Sequence, residues 1–173
     1  TSIGDIAAGL YAVIGILVQL IHRKNTDLGS RLDISMLDCQ VAILENAISR
    51  FSVEKKIPYP LGTDHPTITP FGAFKTKDSY IVIAIGNDKL FKNFCKAIGS
   101  KELFYDNFFK NNELRNKNLK KLRKLVEEKL EKKNTDFWTK IFSEYEVPHS
   151  KINNIEEVTN NESPAPFESF GLT

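Results

Sequence analysis

Apolar positions change their spacing several times along this chain, and each change marks an element. "IAAGLYAVIGILVQLI" (6–21) is apolar on nearly every side, with Gln19 its one strongly polar position. Its 16 residues fall short of the roughly 20 that cross a bilayer. The pattern therefore predicts a helix buried on most faces inside a larger domain. Ser2 and Asp5 offer capping groups at its start, and "HRK" places cations at its negative end. "SRLDIS" alternates at period two and predicts a short strand. In "MLDCQVAILENAISRF", Leu37, Val41, Leu44 and Ile48 recur at three- and four-residue steps, which predicts a second helix with one buried stripe.

From Ser52 to Pro70 the period disappears. "SVEKKIPYPLGTDHPTITP" holds four prolines and one glycine, the composition of a linker or an extended functional loop. "FGAFKT" and "YIVIAIG" then flank "KDS" and predict a β-hairpin, its second strand covered on both faces. Three helical patterns follow. The first carries Leu90, Phe91, Phe94, Cys95 and Ile98 on one face and is closed by Gly99. The second, from Asn111 to Lys133, has Leu119, Leu122, Leu125, Val126 and Leu130 as its seam, and the third starts at Thr135. "VPHSKI" reads as a strand or turn from Val147, and after a short helical stretch the last residues lose all period. This order predicts an α+β fold.

Composition narrows the partners. The 173 residues are 41% hydrophobic and 27% charged, as a globular chain requires. A net charge of +2 is too small to suggest a nucleic-acid or membrane partner. Cys39 and Cys95 lie far apart within helical patterns and read as buried free thiols of a reducing compartment. The chain begins with Thr1 and runs at once into an apolar helix, so a cut piece of a longer protein is expected.

Candidate chemistry is sparse. Nine Lys or Arg between Asn111 and Lys133 are mixed with Glu113, Glu127, Glu128 and Glu131 around a leucine seam, which a solvated helix face explains. His22, His65 and His149 lack the spacing of metal ligands. His65 differs from the other two because it sits in the proline-rich loop, where function concentrates. Asp5, Asp33 and Asp38 suit helix starts and turns better than catalysis. Lys75 and Lys77 flank Thr76 and should point the same way from an extended strand, where they could hold a phosphate or carboxylate, or keep a sheet edge soluble.

Three segments resemble the family III CoA-transferases, the group of formyl-CoA transferase, carnitine CoA-transferase and α-methylacyl-CoA racemase. They are "GDIAAGLYAVIGILVQLIHRKNTDLGSRLDISMLD", "HPTITPFGAFKTKDSYIVIAIGNDKLFKNFCKAIG" and "VPHSKINNIEEV", in the family's order over residues 2–158. "HPTITPFGAFKTKD" is similar to the branch of succinate–hydroxymethylglutarate CoA-transferase, which moves CoA between dicarboxylic acids.

The resemblance implies the C-terminal part of a Rossmann-like large domain over 1–50 (helix, strand, helix), a linker and substrate loop over 51–69, a small domain with a hairpin and three helices over 70–158, and an atypical tail over 159–173. It implies CoA transfer from an acyl-CoA to a carboxylic acid through an aspartyl-CoA thioester. The nucleophilic aspartate is expected upstream, so none of the catalytic residues lies here and the chain alone should be inactive. Gly62, Thr63, Asp64 and His65 fall where formyl-CoA transferase carries a glycine-rich loop. One glycine in place of a run favours a stiffer loop that reads the substrate. Lys75 and Lys77 fall near the CoA-approaching hairpin. Coenzyme A enters as substrate, with no cofactor held covalently at rest and no metal. An interlocked homodimer of the complete protein and a cytoplasmic location, or the mitochondrial matrix in a eukaryote, are implied as well. A racemase of the same family and a stand-alone module binding CoA or a partner protein remain open.

Overall fold

A computed structural model describes residues 1–159. They form two compact units, Thr1–Pro60 and a second that begins at Leu61. The tail expected from residue 159 lies, but for Thr159, outside the described residues.

The first unit holds α1 (Ile3–Thr26), α2 (Met36–Ala42) and α3 (Glu45–Glu54). α1 runs for 24 residues, longer than its apolar core suggested, and ends on Asp27 in the left-handed region. It is long and apolar enough to cross a membrane by length and composition. Burial on most faces is not observed: Ala7 is its one buried residue, while Leu10, Val13, Ile14 and Leu17 stay more than half exposed. The strand expected in "SRLDIS" is absent, because no neighbouring strand among the described residues of this unit can pair with its backbone. The segment instead runs extended into Ser35, whose hydroxyl accepts from the Asp38 amide and caps α2. The single helix expected from Met36 is two, separated at Ile43 and Leu44.

The second unit is built on a three-stranded antiparallel sheet in the order β1 (Phe71–Lys75), β2 (Tyr80–Ala84), β3 (His149–Lys151). Phe71 pairs with Ala84 and Lys75 with Tyr80, so the hairpin turns through Thr76–Ser79. Ile81, Ile83 and Ile85 alternate onto one face and are wholly buried, whereas Val82 and Ala84 on the other are half-buried. The strand is thus covered fully on one face and partly on the other.

Helices α4 (Asp88–Ala97), α5 (Glu102–Tyr105), α6 (Asn112–Lys117), α7 (Leu119–Leu130) and α8 (Thr135–Glu144) follow, with α9 (Ile155–Thr159) last. Phe91, Phe94, Leu122, Val126, Trp138 and Phe142 from α4, α7 and α8 close over the isoleucines. Gly99 at φ 65° ends α4, its amide bonding to Lys96 and that of Ser100 to Cys95. Three helices were expected after the hairpin, and five stand between β2 and β3. The long basic pattern breaks at Asn118, whose backbone leaves helical values, and α5 adds a single turn.

Asp78 in the hairpin turn accepts from the Thr135 amide (2.8 Å), the Thr135 hydroxyl (2.9 Å) and the Thr76 hydroxyl (3.1 Å), joining the turn to the start of α8. The Thr135 donors hold its carboxyl below the ordinary value of 3.8. A depressed carboxyl contributes stability above its unfolded pKa and loses it as pH falls through the folded one. Asp78→Asn should therefore lower the melting temperature at pH 7, and the gap to wild type should close as the pH is taken below 3.8; melting curves across an acid series check this.

Candidate substrate loop

The loop from Leu61 to Pro70 belongs to the second unit and is fastened to it along its length. It opens with a tight turn in which Gly62 takes φ 64° and the Asp64 amide bonds to the Leu61 carbonyl. A left-handed φ at the first central position is glycine's role. The Thr63 hydroxyl accepts from the Ala73 amide (3.1 Å), and the His65 amide bonds to the Phe71 carbonyl (2.9 Å). The loop so lies against β1, and Gly72 is where it comes closest. A Cβ there would stand 2.8 Å from the Thr63 carbonyl oxygen and 2.9 Å from Asp64 Oδ1.

The other end is held by α6. Asn112, Arg115 and Asn116 stand at i, i+3 and i+4 and share one helix face. Asn112 Oδ1 accepts from the Thr69 amide (3.0 Å), and the Asn112 and Asn116 amide groups donate to the Thr67 carbonyl (2.7 and 2.6 Å). The Thr69 hydroxyl bonds to Asn116 Oδ1, and the Thr69–Pro70 peptide is cis. Arg115 is completely buried. Its Nε donates to the Thr69 carbonyl (2.8 Å), Nη1 to the Phe109 carbonyl (3.1 Å) and Nη2 to Asp88 Oδ1 (2.7 Å), while its guanidinium lies 4.4 Å from the Phe91 ring centre.

From α7, Arg123 Nη1 donates to the Ala73 carbonyl (2.8 Å) and to Glu127 (2.9 Å), and Nη2 donates to Asp64. Its guanidinium stacks 4.3 Å from the Phe74 ring centre.

His65 is half-buried and lies flat against Phe71, ring centres 5.0 Å apart at 18°. Its Nδ1 accepts from the Thr67 (3.2 Å) and Ile68 (3.1 Å) amides. Backbone N–H groups can only donate, so the ring proton sits on Nε2. Among the described residues that edge meets no protein partner, and neither do the Gly62 and Thr63 amides.

Of the residues singled out from the sequence, Gly62, Thr63, Asp64 and His65 are thus together in one anchored turn. Asp64 is ion-paired to Arg123. Lys75 and Lys77 flank the buried Thr76 and are both exposed. Lys75 lies three strand positions beyond Gly72, on the order of 10 Å along β1. Its Nζ stands 3.3 Å from Glu131, whereas the Lys77 side chain has no protein partner among the described residues. Cys39 and Cys95 are buried free thiols; Cys95 is pushed up to about 12 by burial and is inert as a nucleophile. Among the described residues, no three His, Cys, Asp or Glu side chains gather as metal ligands.

Sequence reading missed Asn112, Arg115, Asn116 and Arg123, which were absorbed into a solvated basic face. Two signals point to them. The polar spacing in "NELRN" marks one face of a helix, and the two arginines stand among lysines where a forked donor was retained.

Comparison with known proteins decides the lineage. The profile of CoA-transferase family III matches residues 1–167. The chain belongs to CoA-transferase family III. Human succinyl-CoA:glutarate CoA-transferase is 38% identical over 154 residues, 89% of this chain and 35% of that protein. Acetyl-CoA:oxalate CoA-transferase of Acetobacter aceti is 34% identical over 160 residues, 92% and 41% respectively. The crystal structure of a CaiB/BaiF family protein from Brucella suis superposes with TM-score 0.83 at 31% identity, covering 99% of this chain and 44% of that one. The chain spans about two-fifths of the length of these relatives. The α+β architecture of this family III chain, α1 included, therefore has a counterpart in a solved structure.

The loop's seating on β1 can be tested at its tightest point. Gly72→Ala should destabilise the protein by about 1–3 kcal/mol, the usual result of overpacking against backbone. Chemical denaturation measures this.

Proposed function

We propose that this chain carries the acceptor-reading loop and small domain of an enzyme that moves CoA between an acyl-CoA and a dicarboxylic acid. The observation that supports it most is the match to a transferase family along the chain, with relatives named for acids such as glutarate and oxalate. These names favour transfer over racemisation.

The proposed chemistry runs through an aspartate that is not among the aspartates of this chain. Its carboxylate attacks the acyl-CoA carbonyl, the C–S bond breaks, and an aspartyl anhydride and CoA thiolate form. The thiolate attacks the aspartyl carbonyl and expels the first acid, leaving an aspartyl-CoA thioester. The acceptor carboxylate then attacks this thioester and displaces the thiolate. The thiolate in turn takes the acyl group from the new anhydride, which releases the aspartate. Water must be kept out while thioester and anhydride exist. A loop bound to the small domain at both ends suits that task better than a loose lid.

His65 Nε2 and the Gly62 and Thr63 amides, without a protein partner among the described residues, are donors of the turn suited to the far carboxylate of a dicarboxylate. Lys77, and more weakly the already paired Lys75, suits the phosphates of CoA. On this reading α1 is an inner helix of the large domain, the complete protein is an interlocked homodimer, and it works in the cytoplasm or a mitochondrial matrix. A stand-alone binding module is the contrary case, and CoA binding by the isolated chain would favour it.

Steady-state kinetics of the full-length protein with succinyl-CoA and glutarate test the proposal. Loss of a charge-assisted hydrogen bond in His65→Ala should raise the KM for glutarate about tenfold or more, with CoA binding unchanged. Lys77→Ala should weaken CoA binding a few-fold in a salt-sensitive way, and Lys75→Ala less. Unchanged glutarate kinetics in His65→Ala would remove its role, and unchanged CoA binding in both lysine variants would reduce the pair to edge solubility.

A further inference from the structure

Among the described residues, Arg123 is the one side chain of α7 bonded to the loop, and both of its terminal nitrogens and one face of its guanidinium are engaged. Nη1 serves the Ala73 carbonyl and Glu127, Nη2 serves Asp64, and the plane covers Phe74. The ion pair is largely shielded, with side-chain exposures of 24% for Arg123 and 15% for Asp64. Asp64 in turn packs where Gly72 lacks a side chain, one residue before His65. The pair therefore sets how far the turn stands off β1, and with it the place of the His65 ring.

Charge points the same way. An unpaired carboxylate beside His65 would repel an incoming acid, and in a shielded setting such repulsion is poorly screened. The Arg123 guanidinium cancels it. A lysine could supply the charge but not the planar fork that reaches Ala73, Glu127 and Asp64 together.

We infer that Arg123 is a positioning residue for the acceptor acid: through Asp64 it fixes the turn that presents His65 Nε2 and neutralises a charge that would oppose a second carboxylate. This rests on the acceptor-loop reading above.

The test pairs kinetics of the full-length protein on succinyl-CoA and glutarate with amide hydrogen exchange over residues 61–70. Arg123→Gln should raise the KM for glutarate about tenfold, leave the inhibition constant of free CoA within about twofold, and speed exchange in the loop. Arg123→Lys should recover the glutarate KM in part through charge while exchange stays fast. Adding Asp64→Ala to Arg123→Gln should cost nothing further, because the two act as one unit. A glutarate KM that does not move, a CoA inhibition constant that rises along with it, or additive effects in the double variant would each overturn the inference. If the wild-type protein moves no CoA between these substrates, the acceptor-loop reading itself fails. The exchange arm then still decides whether Arg123 fixes the turn: faster exchange in Arg123→Gln supports it, unaltered exchange contradicts it.

Discussion

A buried guanidinium organises the second unit. Removing an arginine from water costs several kcal/mol, and the cost is met only where its donors find acceptors of good geometry. Arg115 meets that condition three times, at Thr69, Phe109 and Asp88, and adds the face of Phe91. These partners come from the loop, the segment before α6, and the start and middle of α4. Hydrophobic contact alone does not fix three such segments in direction as well as distance. The loop end, and everything between it and β1, takes its position from this group.

Arg123 repeats the device at the other end of the loop, where it is partly solvated and pairs with two carboxylates and one carbonyl. The result is a short segment without regular structure whose backbone groups are largely occupied. Its unpartnered donors are confined to one turn and one imidazole edge. A site that must hold an acid against a reactive thioester benefits from donors fixed beforehand, because no ordering is then required at binding. The first unit stands in contrast. Ala7 and Cys39 are its buried apolar residues among those described, and α1 exposes isoleucine, leucine and valine on most sides. Its stability cannot come from its own packing.

Much of the fold was legible in the sequence because its signals are local. The hairpin followed from "KDS" between "FGAFKT" and "YIVIAIG", α4 from its five-residue apolar face, and the α4 terminus from Gly99. What failed was non-local. "SRLDIS" has the period of a strand but no strand beside it, so its backbone stays extended and unpaired. The basic stretch from Asn111 divided at Asn118, where a continuous leucine seam had suggested one helix. The loop was legible as irregular from its prolines, and its place there is what singled out His65. Its anchors were invisible because they lie 43 to 59 residues away along the chain, and no spacing rule connects them.

The account stands on Arg115, and equilibrium denaturation of Arg115→Met is its most direct trial. Methionine fills much of the same space but leaves Asp88 and two carbonyls without their donor. The account predicts a loss of about 2–6 kcal/mol, from two buried carbonyls left without a donor at about 1–3 kcal/mol each, since Asp88, 58% exposed, returns to water. A variant as stable as wild type, or more so, would show that ordinary apolar packing holds the loop and that the guanidinium is dispensable.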